Sequence, residues 1–137
     1  MLRGLDILVV DDDLGCLESM EDLLTHDGHR IRTATRGADA LGIAEEFRAS
    51  DRRLHLSILD FHVPDMNGLE TFIRLTDLLP NIGGIFVSAA STSSLERSIH
   101  EAGGVALLRK PVDLCGVRGA IEEFSARMME SWGPDDL

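Results

Sequence analysis

Four apolar runs in the sequence each end on polar side chains that could take part in chemistry. The carboxylates of Asp11 and Asp12 follow the first of these runs, and the carboxylate of Asp60 follows another. A hydroxyl, Ser88, and an ammonium group, Lys110, follow the remaining two. Lys110 is the only lysine among 13 basic residues, which favours a specific need for a compact point charge there. If the four runs are neighbouring parallel strands, these side chains meet at one edge of the sheet.

This combination of side chains is typical of a site for phosphoryl groups. Two carboxylates about 4 Å apart repel each other by roughly 4 kcal/mol at an effective dielectric constant of about 20, and a proton or a hard divalent cation would relieve that repulsion. Mg²⁺ suits a site with one or two carboxylates, waters and a phosphate oxygen. Asp60 could then act as a nucleophile and form an acyl phosphate, while the cation and Lys110 neutralise the transferred oxygens. A plainer alternative stays open, in which residues 11–13 form a solvated turn that caps the next helix.

The elements that would position these side chains alternate along the chain. Apolar runs that stop at turn residues predict strands, and apolar residues that recur every three or four positions predict helices. The predicted strands cover residues 6–10, 30–35, 54–59, 85–87 and 105–108. The predicted helices cover residues 17–25, 38–47, 69–79, 95–102 and, after an N-cap at Asp113, residues up to 128. Gly83 and Gly84 are interpreted as the connection that leads into the fourth strand.

Strands and helices in strict alternation predict an α/β fold. Each connection is long enough to hold a helix, so the sheet should be mostly parallel with helices on both faces. A five-stranded sheet with acids after its first and third strands fits the strand order 2-1-3-4-5. That order sets the first and third strands side by side, with Asp11 and Asp60 at their ends.

Length and composition restrict the kind of protein. The 137 residues are enough for one domain that needs no disulfides, and Cys16 and Cys115 are expected to be reduced thiols. A net charge of −11 argues against binding to a nucleic-acid backbone. The apolar run near the start is too short for a signal peptide or a membrane span. We therefore expect a cytoplasmic protein that contacts neither nucleic acid nor membrane through this domain.

At this point the sequence resembles a known family, the receiver domains of two-component response regulators. The segments ILVVDDD, LSILDFHVPDMNGLE, IFVSA and LLRKP occur in the order and spacing of that family's motifs. Each motif alone is weak evidence, whereas the four together are specific. The resemblance implies a flavodoxin-like (βα)5 receiver fold over residues 1–132. The composition of residues 133–137, Gly-Pro-Asp-Asp-Leu, predicts a flexible tail.

The resemblance implies a role for each candidate residue. Asp60 would accept the phosphoryl group, and the domain would catalyse only its own phosphorylation and dephosphorylation. Ser88 would hydrogen-bond the phosphoryl oxygens, Lys110 would pair with them, and Pro111 would follow through a cis bond. The implied cofactor is Mg²⁺, held by Asp12, Asp60, the backbone carbonyl of His62 and, through water, Asp11.

The sequence departs from the family pattern at several positions. Leu107 stands where the family usually has the aromatic ring that moves inward on phosphorylation, so Ser88 and its loop would have to switch without that ring. Ser88 itself replaces the more frequent threonine and keeps the hydroxyl. Val63 replaces a methionine, which is interpreted as a packing change. His62 and Ala90 occupy the two variable positions that tune the lifetime of the phosphoryl group in the family.

The implied partners are proteins. A sensor histidine kinase or a histidine phosphotransfer protein would supply the phosphoryl group. The signal would leave through the face formed by helix four, strand five and helix five. It would pass to a downstream protein or to an output domain beyond the last helix.

Two other functions are compatible with parts of the sequence. A haloacid-dehalogenase-like phosphatase also carries a DxD motif after its first strand, but it needs a second acidic motif after its lysine, where only Asp113 is near. A degenerate receiver that docks without phosphorylation would keep the fold. Leu107 favours that reading, and the intact acids, Ser88 and Lys110 oppose it.

Overall fold

Five strands alternate with five helices in the part of the chain that the computed structural model describes, residues 4–90 and 92–131, with side chains described up to 128. The strands are β1 (Asp6–Val10), β2 (Arg30–Ala34), β3 (Leu56–Asp60), β4 (Gly83–Ser88) and β5 (Ala106–Arg109). The helices are α1 (Leu14–His26), α2 (Gly37–Ala49), α3 (Gly68–Leu78), α4 (Ser93–Glu101) and α5 (Leu114–Ser131). The predicted tail at 133–137 lies outside the described residues.

The sheet has the order β2-β1-β3-β4-β5 and all its pairs are parallel, which confirms the predicted topology. In the register of β1 and β3, Val10 lies opposite Leu59, so Asp11 and Asp60 follow at adjacent strand ends. Asp60 in turn lies opposite Val87, the residue before Ser88. The register therefore brings the carboxyl ends of the three central strands to one edge.

The core consists of two apolar layers, one on each face of the sheet. Every residue of β1, β3 and β4 is buried, as expected for strands covered on both faces. On one face, Ile7 and Val9 pack with residues of α1 and α5. On the other face, Leu8 and Val10 pack with residues of α2, α3 and α4. The central strands are therefore packed between helices on both faces.

The interpretation of Gly83 and Gly84 as a connection is wrong, because both residues belong to β4. They point to opposite faces of the sheet, and each leaves room for a phenylalanine ring from the facing helix. A Cβ atom on Gly83 would collide with the ring of Phe124, and one on Gly84 would lie 2.5 Å from Cε1 of Phe72. The glycines are thus packing sites for large rings.

A Gly84→Ala substitution should lower the free energy of unfolding by about 1–3 kcal/mol, because the added methyl group overpacks the core. The Phe72 ring cannot easily move away, since it is buried and packs edge-on against Phe86 with ring centroids 5.4 Å apart. Chemical denaturation measures the loss. The matched control is Gly42→Ala in α2, where no atom lies within 4 Å of the new Cβ and a gain of about 0.5–1 kcal/mol is expected.

Two histidines hold the amino end of β1. The Nδ1 atom of His29 accepts a hydrogen bond from the backbone N–H of Leu5 at 3.2 Å, and Nδ1 of His55 accepts one from Asp6 at 2.9 Å. An imidazole nitrogen accepts only when it carries no proton, so these contacts need the neutral form. Burial lowers the pKa of both His29 and His55. Acid should therefore weaken this end of the sheet.

The free energy of unfolding should fall as the pH is lowered from 7 towards 5. Both histidines have a lower pKa in the folded than in the unfolded state. Their contribution to the free energy of unfolding is therefore complete above the pKa of unfolded histidine, about 6.5, and is lost as pH falls through their pKa in the folded state. Denaturation at several pH values measures this slope. A double variant, His29→Gln with His55→Gln, should flatten it, whereas His100→Gln at an exposed position of α4 should not.

The helix α4 is attached to the sheet by a small apolar contact. Of its residues, Ile99 is buried, and Leu95 packs beside it at partial exposure. Leu107 on β5 belongs to the same layer and is also half-buried. None of the described helices is both long and apolar enough to cross a membrane.

Candidate functional site

The three acids after β1 have different structural roles. Asp11 is buried, whereas Asp12 and Asp13 are exposed. Asp13 caps α1, because its Oδ1 accepts hydrogen bonds from the backbone N–H groups of Gly15 at 3.0 Å and Cys16 at 3.2 Å. This cap starts α1 at Leu14, three residues before the predicted start at 17. The capping alternative therefore applies to Asp13, while the other two acids face β3.

Asp60 lies at the centre of the site. Its side chain is 5% exposed, its Oδ1 accepts a hydrogen bond from the backbone N–H of His62 at 3.1 Å, and its Oδ2 accepts one from Nζ of Lys110 at 2.9 Å. Carboxylate oxygens of Asp11, Asp12 and Asp60 all lie within 4.8 Å of one another. This all-oxygen cluster fits the ligands that Mg²⁺ prefers.

Lys110 supplies the positive charge of the site. Its backbone N–H donates to the carbonyl of Ser88 at 2.9 Å, which fixes the start of the loop after β5. Its Nζ atom lies 3.8 Å from Oδ2 of Asp11 as well as within hydrogen-bond distance of Asp60. Burial alone would lower the pKa of Lys110, but the bond to Asp60 and the two negative charges raise it. The bond from Lys110 to Pro111 is cis, as expected.

Burial raises the pKa of Asp11, and the charge of Asp60 adds to the rise, although the backbone N–H of Asp13 opposes it with a hydrogen bond of 2.9 Å to Oδ1. The thiol of Cys16 lies close enough to Asp11 to be affected by its charge, a proximity that the sequence analysis missed. Burial and the neighbouring carboxylate of Asp11 raise the pKa of the Cys16 thiol to about 12, so the thiol keeps its proton. Cys16 and Cys115 are both free of disulfides.

Ser88 and Leu107 lie where the sequence predicts: Ser88 is the last residue of β4, and Leu107 lies within β5. The side chain of Ser88 is buried, and its hydroxyl oxygen accepts a hydrogen bond from the backbone N–H of Ala90 at 3.2 Å. Leu107 lies opposite Phe86 in the sheet. The Ser88 hydroxyl is therefore held by the loop that follows β4. The neighbouring strand β5 has the aliphatic side chain of Leu107.

The loop after β3 folds back beside Asp60. Its start is tied to β4 by a hydrogen bond of 2.8 Å from the backbone N–H of Phe61 to the carbonyl of Val87. His62 pairs with Asn67 in an isolated antiparallel bridge, and the Asn67 side chain caps α3. The backbone of His62 thus lies next to the acid cluster. Asp65, in the same loop, contacts α2, which the sequence analysis also missed because the contact is distant along the chain.

A cavity of about 580 Å³ opens beside Lys110, and Leu114 lines it together with Cys16 and Met20. Leu14, next to the lining residue Gly15, is 66% exposed. The surface around this cavity therefore combines the charged side chain of Lys110 with apolar side chains.

Asp113, the acid nearest to Lys110 along the chain, does not resemble a second catalytic carboxylate. Its Oδ1 accepts a hydrogen bond of 3.0 Å from the backbone N–H of Cys115 and so caps the start of α5. In the described part of the chain, the acidic cluster consists of Asp11, Asp12 and Asp60 and does not include Asp113.

Known proteins resemble the chain over most of its length. The transcriptional regulatory protein CrdR of Helicobacter pylori is 32% identical over 119 residues, which are 86% of this chain and 54% of that protein. The chain thus spans about half the length of this relative. Sporulation initiation phosphotransferase F of Bacillus subtilis is 27% identical over 86% of this chain and 91% of that protein.

A solved structure gives the same fold. The CheY-like response regulator receiver domain protein of Methanospirillum hungatei superposes with a TM-score of 0.81 at 26% identity, covering 93% of this chain and 99% of that one. The family model described as response regulator receiver domain matches residues 7–122. That match covers the five strands except Asp6, the first residue of β1, and it includes the acid cluster; the chain therefore belongs to the response regulator receiver domain family.

Proposed function

We propose that the protein is a phosphorylatable receiver that accepts a phosphoryl group on Asp60 from a histidine kinase or a phosphotransfer protein. The observation that carries this proposal is the contact of 2.9 Å between Nζ of Lys110 and Oδ2 of Asp60, beside a cluster of three acids. The relative in Bacillus subtilis is named a phosphotransferase, and the chain covers 91% of it. Both points support phosphoryl transfer.

The transfer is a nucleophilic displacement at phosphorus. A carboxylate oxygen of Asp60 forms the new bond to phosphorus while the bond from phosphorus to the donor's imidazole nitrogen breaks, and that nitrogen keeps the electron pair and takes a proton from water. Lys110 already contacts Asp60 and would move with its charge to the transferred oxygens. Ser88, at the adjacent strand end, accepts a hydrogen bond from the backbone N–H of Ala90, and its O–H would donate to a phosphoryl oxygen.

The acid cluster fits a bound Mg²⁺. Asp12 and Asp60 would hold the ion with the backbone carbonyl of His62, and Asp11 would act through a water molecule. When bound, the ion would neutralise negative charge on the phosphoryl oxygens. Attack of water on phosphorus would later release inorganic phosphate and restore the Asp60 carboxylate, so the domain would catalyse only its own phosphorylation and dephosphorylation.

The signal would pass to another protein surface or to an output domain. CrdR is named a transcriptional regulatory protein, and this chain spans 54% of it, which supports an output outside residues 1–132. The face of α4, β5 and α5 is our candidate for that contact, because α4 is anchored mainly by Ile99 and could shift at small cost. Leu107 would change the packing of that face without a rotating ring. The cytoplasmic location stays a prediction.

The intact mass of the protein tests the proposal after incubation with acetyl phosphate and Mg²⁺, with rapid trapping because acyl phosphates hydrolyse. We expect one added phosphoryl group that requires Mg²⁺. If neither acetyl phosphate nor a histidine-phosphorylated donor labels the protein, the docking module without phosphorylation becomes the better explanation. Steady release of phosphate from varied phosphoesters would instead indicate a phosphatase.

A further inference from the structure

The amino end of α2 is capped by a residue from a different loop. Arg36, which precedes α2, makes no side-chain hydrogen bond to the helix. Instead the two carboxylate oxygens of Asp65 accept hydrogen bonds from the backbone N–H groups of Gly37 and Ala38, each at 2.8 Å. These N–H groups have no partner within the helix, and the helix dipole favours a negative charge there. Asp65 therefore binds the loop after β3 to α2.

The residue after Asp65 strengthens this attachment. Met66 lies directly on Gly37, where an added Cβ atom would come within 2.5 Å of its Cγ and 2.7 Å of its Sδ. Met66 can come this close because residue 37 is a glycine and has no side chain. Two consecutive residues of the loop thus contact the first turn of α2, one by charge and one by packing.

The same loop carries His62, whose backbone lies beside the acid cluster. Two contacts hold the backbone of His62: its N–H donates to Oδ1 of Asp60 at 3.1 Å, and it pairs with Asn67 in an antiparallel bridge. Between His62 and Asn67, the same loop is held by α2 through Asp65. The end of β2, two residues before the cap position of α2, contacts the other half of the site, because the backbone N–H of Asp11 donates to the carbonyl of Ala34 at 3.0 Å.

We propose that Asp65 is a positioning residue for the metal site. By capping α2, Asp65 fixes the loop after β3, and that loop presents the backbone carbonyl of His62 to the site. This inference rests on the proposed function, because it takes the cluster of Asp11, Asp12 and Asp60 as the Mg²⁺ site. Asp65 itself would supply no ligand atom to the ion. Its effect passes through the backbone of residues 62–65, as outer contacts commonly orient metal ligands.

Calorimetric titration of the full chain with Mg²⁺ tests this inference. Asp65→Ala should weaken Mg²⁺ binding about tenfold, in the range found when outer contacts of metal ligands are lost. The Mg²⁺ affinity of Asp65→Asn should lie between those of the wild type and Asp65→Ala, since the amide offers one accepting oxygen instead of two. Asp39→Ala removes the same charge from an exposed position in the first turn of α2 and should bind Mg²⁺ like the wild type.

Thermal unfolding without Mg²⁺ separates positioning from simple capping. If Asp65→Ala melts earlier but binds Mg²⁺ with wild-type affinity, Asp65 only stabilises α2 and the inference is wrong. Equal weakening by Asp39→Ala would assign the effect to charge and overturn it as well. If Asp65→Ala does not fold, wild-type affinity in Asp65→Asn is the contradicting result. A wild-type protein that binds no Mg²⁺ would overturn the proposed metal site first, and this inference with it.

Discussion

An Asp60→Asn variant should take up no phosphoryl group from acetyl phosphate or from a phosphohistidine donor, while it stays folded. An amide has no negatively charged oxygen to attack phosphorus, so no acyl phosphate forms. Two opposing effects should keep the free energy of unfolding within about 1 kcal/mol of wild type. Lys110 loses the charged carboxylate that it contacts at 2.9 Å, but the repulsion between Asp60 and Asp11 is relieved.

Intact mass measures the uptake, and chemical denaturation measures the stability. The matched control is Asp77→Asn, which makes the same chemical change at an exposed position of α3 and should be phosphorylated like the wild type. Full labelling of the Asp60→Asn variant would assign the acceptor to another residue. Loss of labelling in both variants would mean that overall charge, and not position, controls the reaction.

A Lys110→Met variant should be phosphorylated about 100-fold more slowly than the wild type, because it lacks the ammonium group that stabilises the transferred oxygens. Methionine keeps a flexible apolar stem of similar length, so the change mainly removes the charge. The initial rate of labelling at saturating Mg²⁺ measures the effect. Mg²⁺ should still bind, since Asp11, Asp12 and Asp60 are unchanged.

The neighbouring residue provides the control for this change. Arg109→Met removes one positive charge from an exposed side chain at the end of β5 and should leave the labelling rate near the wild-type value. Lys110→Arg should restore part of the rate, because the charge returns in a wider, forked group that fits the space of an ammonium poorly. A Lys110→Met variant as fast as the wild type would show that the contact with Asp60 has no part in the transfer.

Much of the fold was predictable because the signals are local. Apolar runs and helical periodicity placed all five strands and five helices, and acids after the first and third strands indicated the strand order that the sheet has. The same reasoning placed Asp11, Asp60, Ser88 and Lys110 at strand ends. Strand ends in a parallel sheet converge in space, so residues far apart along the chain could be joined without knowing any side-chain contact.

The errors and omissions arise from contacts that are not local. Paired glycines usually signal a turn, and nothing near Gly83 and Gly84 reveals that the rings of Phe124 and Phe72 fill their space. Asp65 caps a helix 28 residues before it, whereas capping patterns in sequence concern a helix that follows within a few residues. The helical periodicity predicted that α1 begins after Cys16, so the sequence did not indicate that the Cys16 thiol lies near Asp11.

The central claim is that Asp60 carries the phosphoryl group, and chemical trapping at that residue tests it most directly. Protein phosphorylated in the presence of Mg²⁺ is treated with tritiated borohydride, which reduces an acyl phosphate and leaves labelled homoserine at the acceptor position. Peptide sequencing by mass spectrometry should find the label at position 60 and nowhere else. Label at position 11 or 12, or no label in protein that has gained a phosphoryl group, would contradict the proposed mechanism.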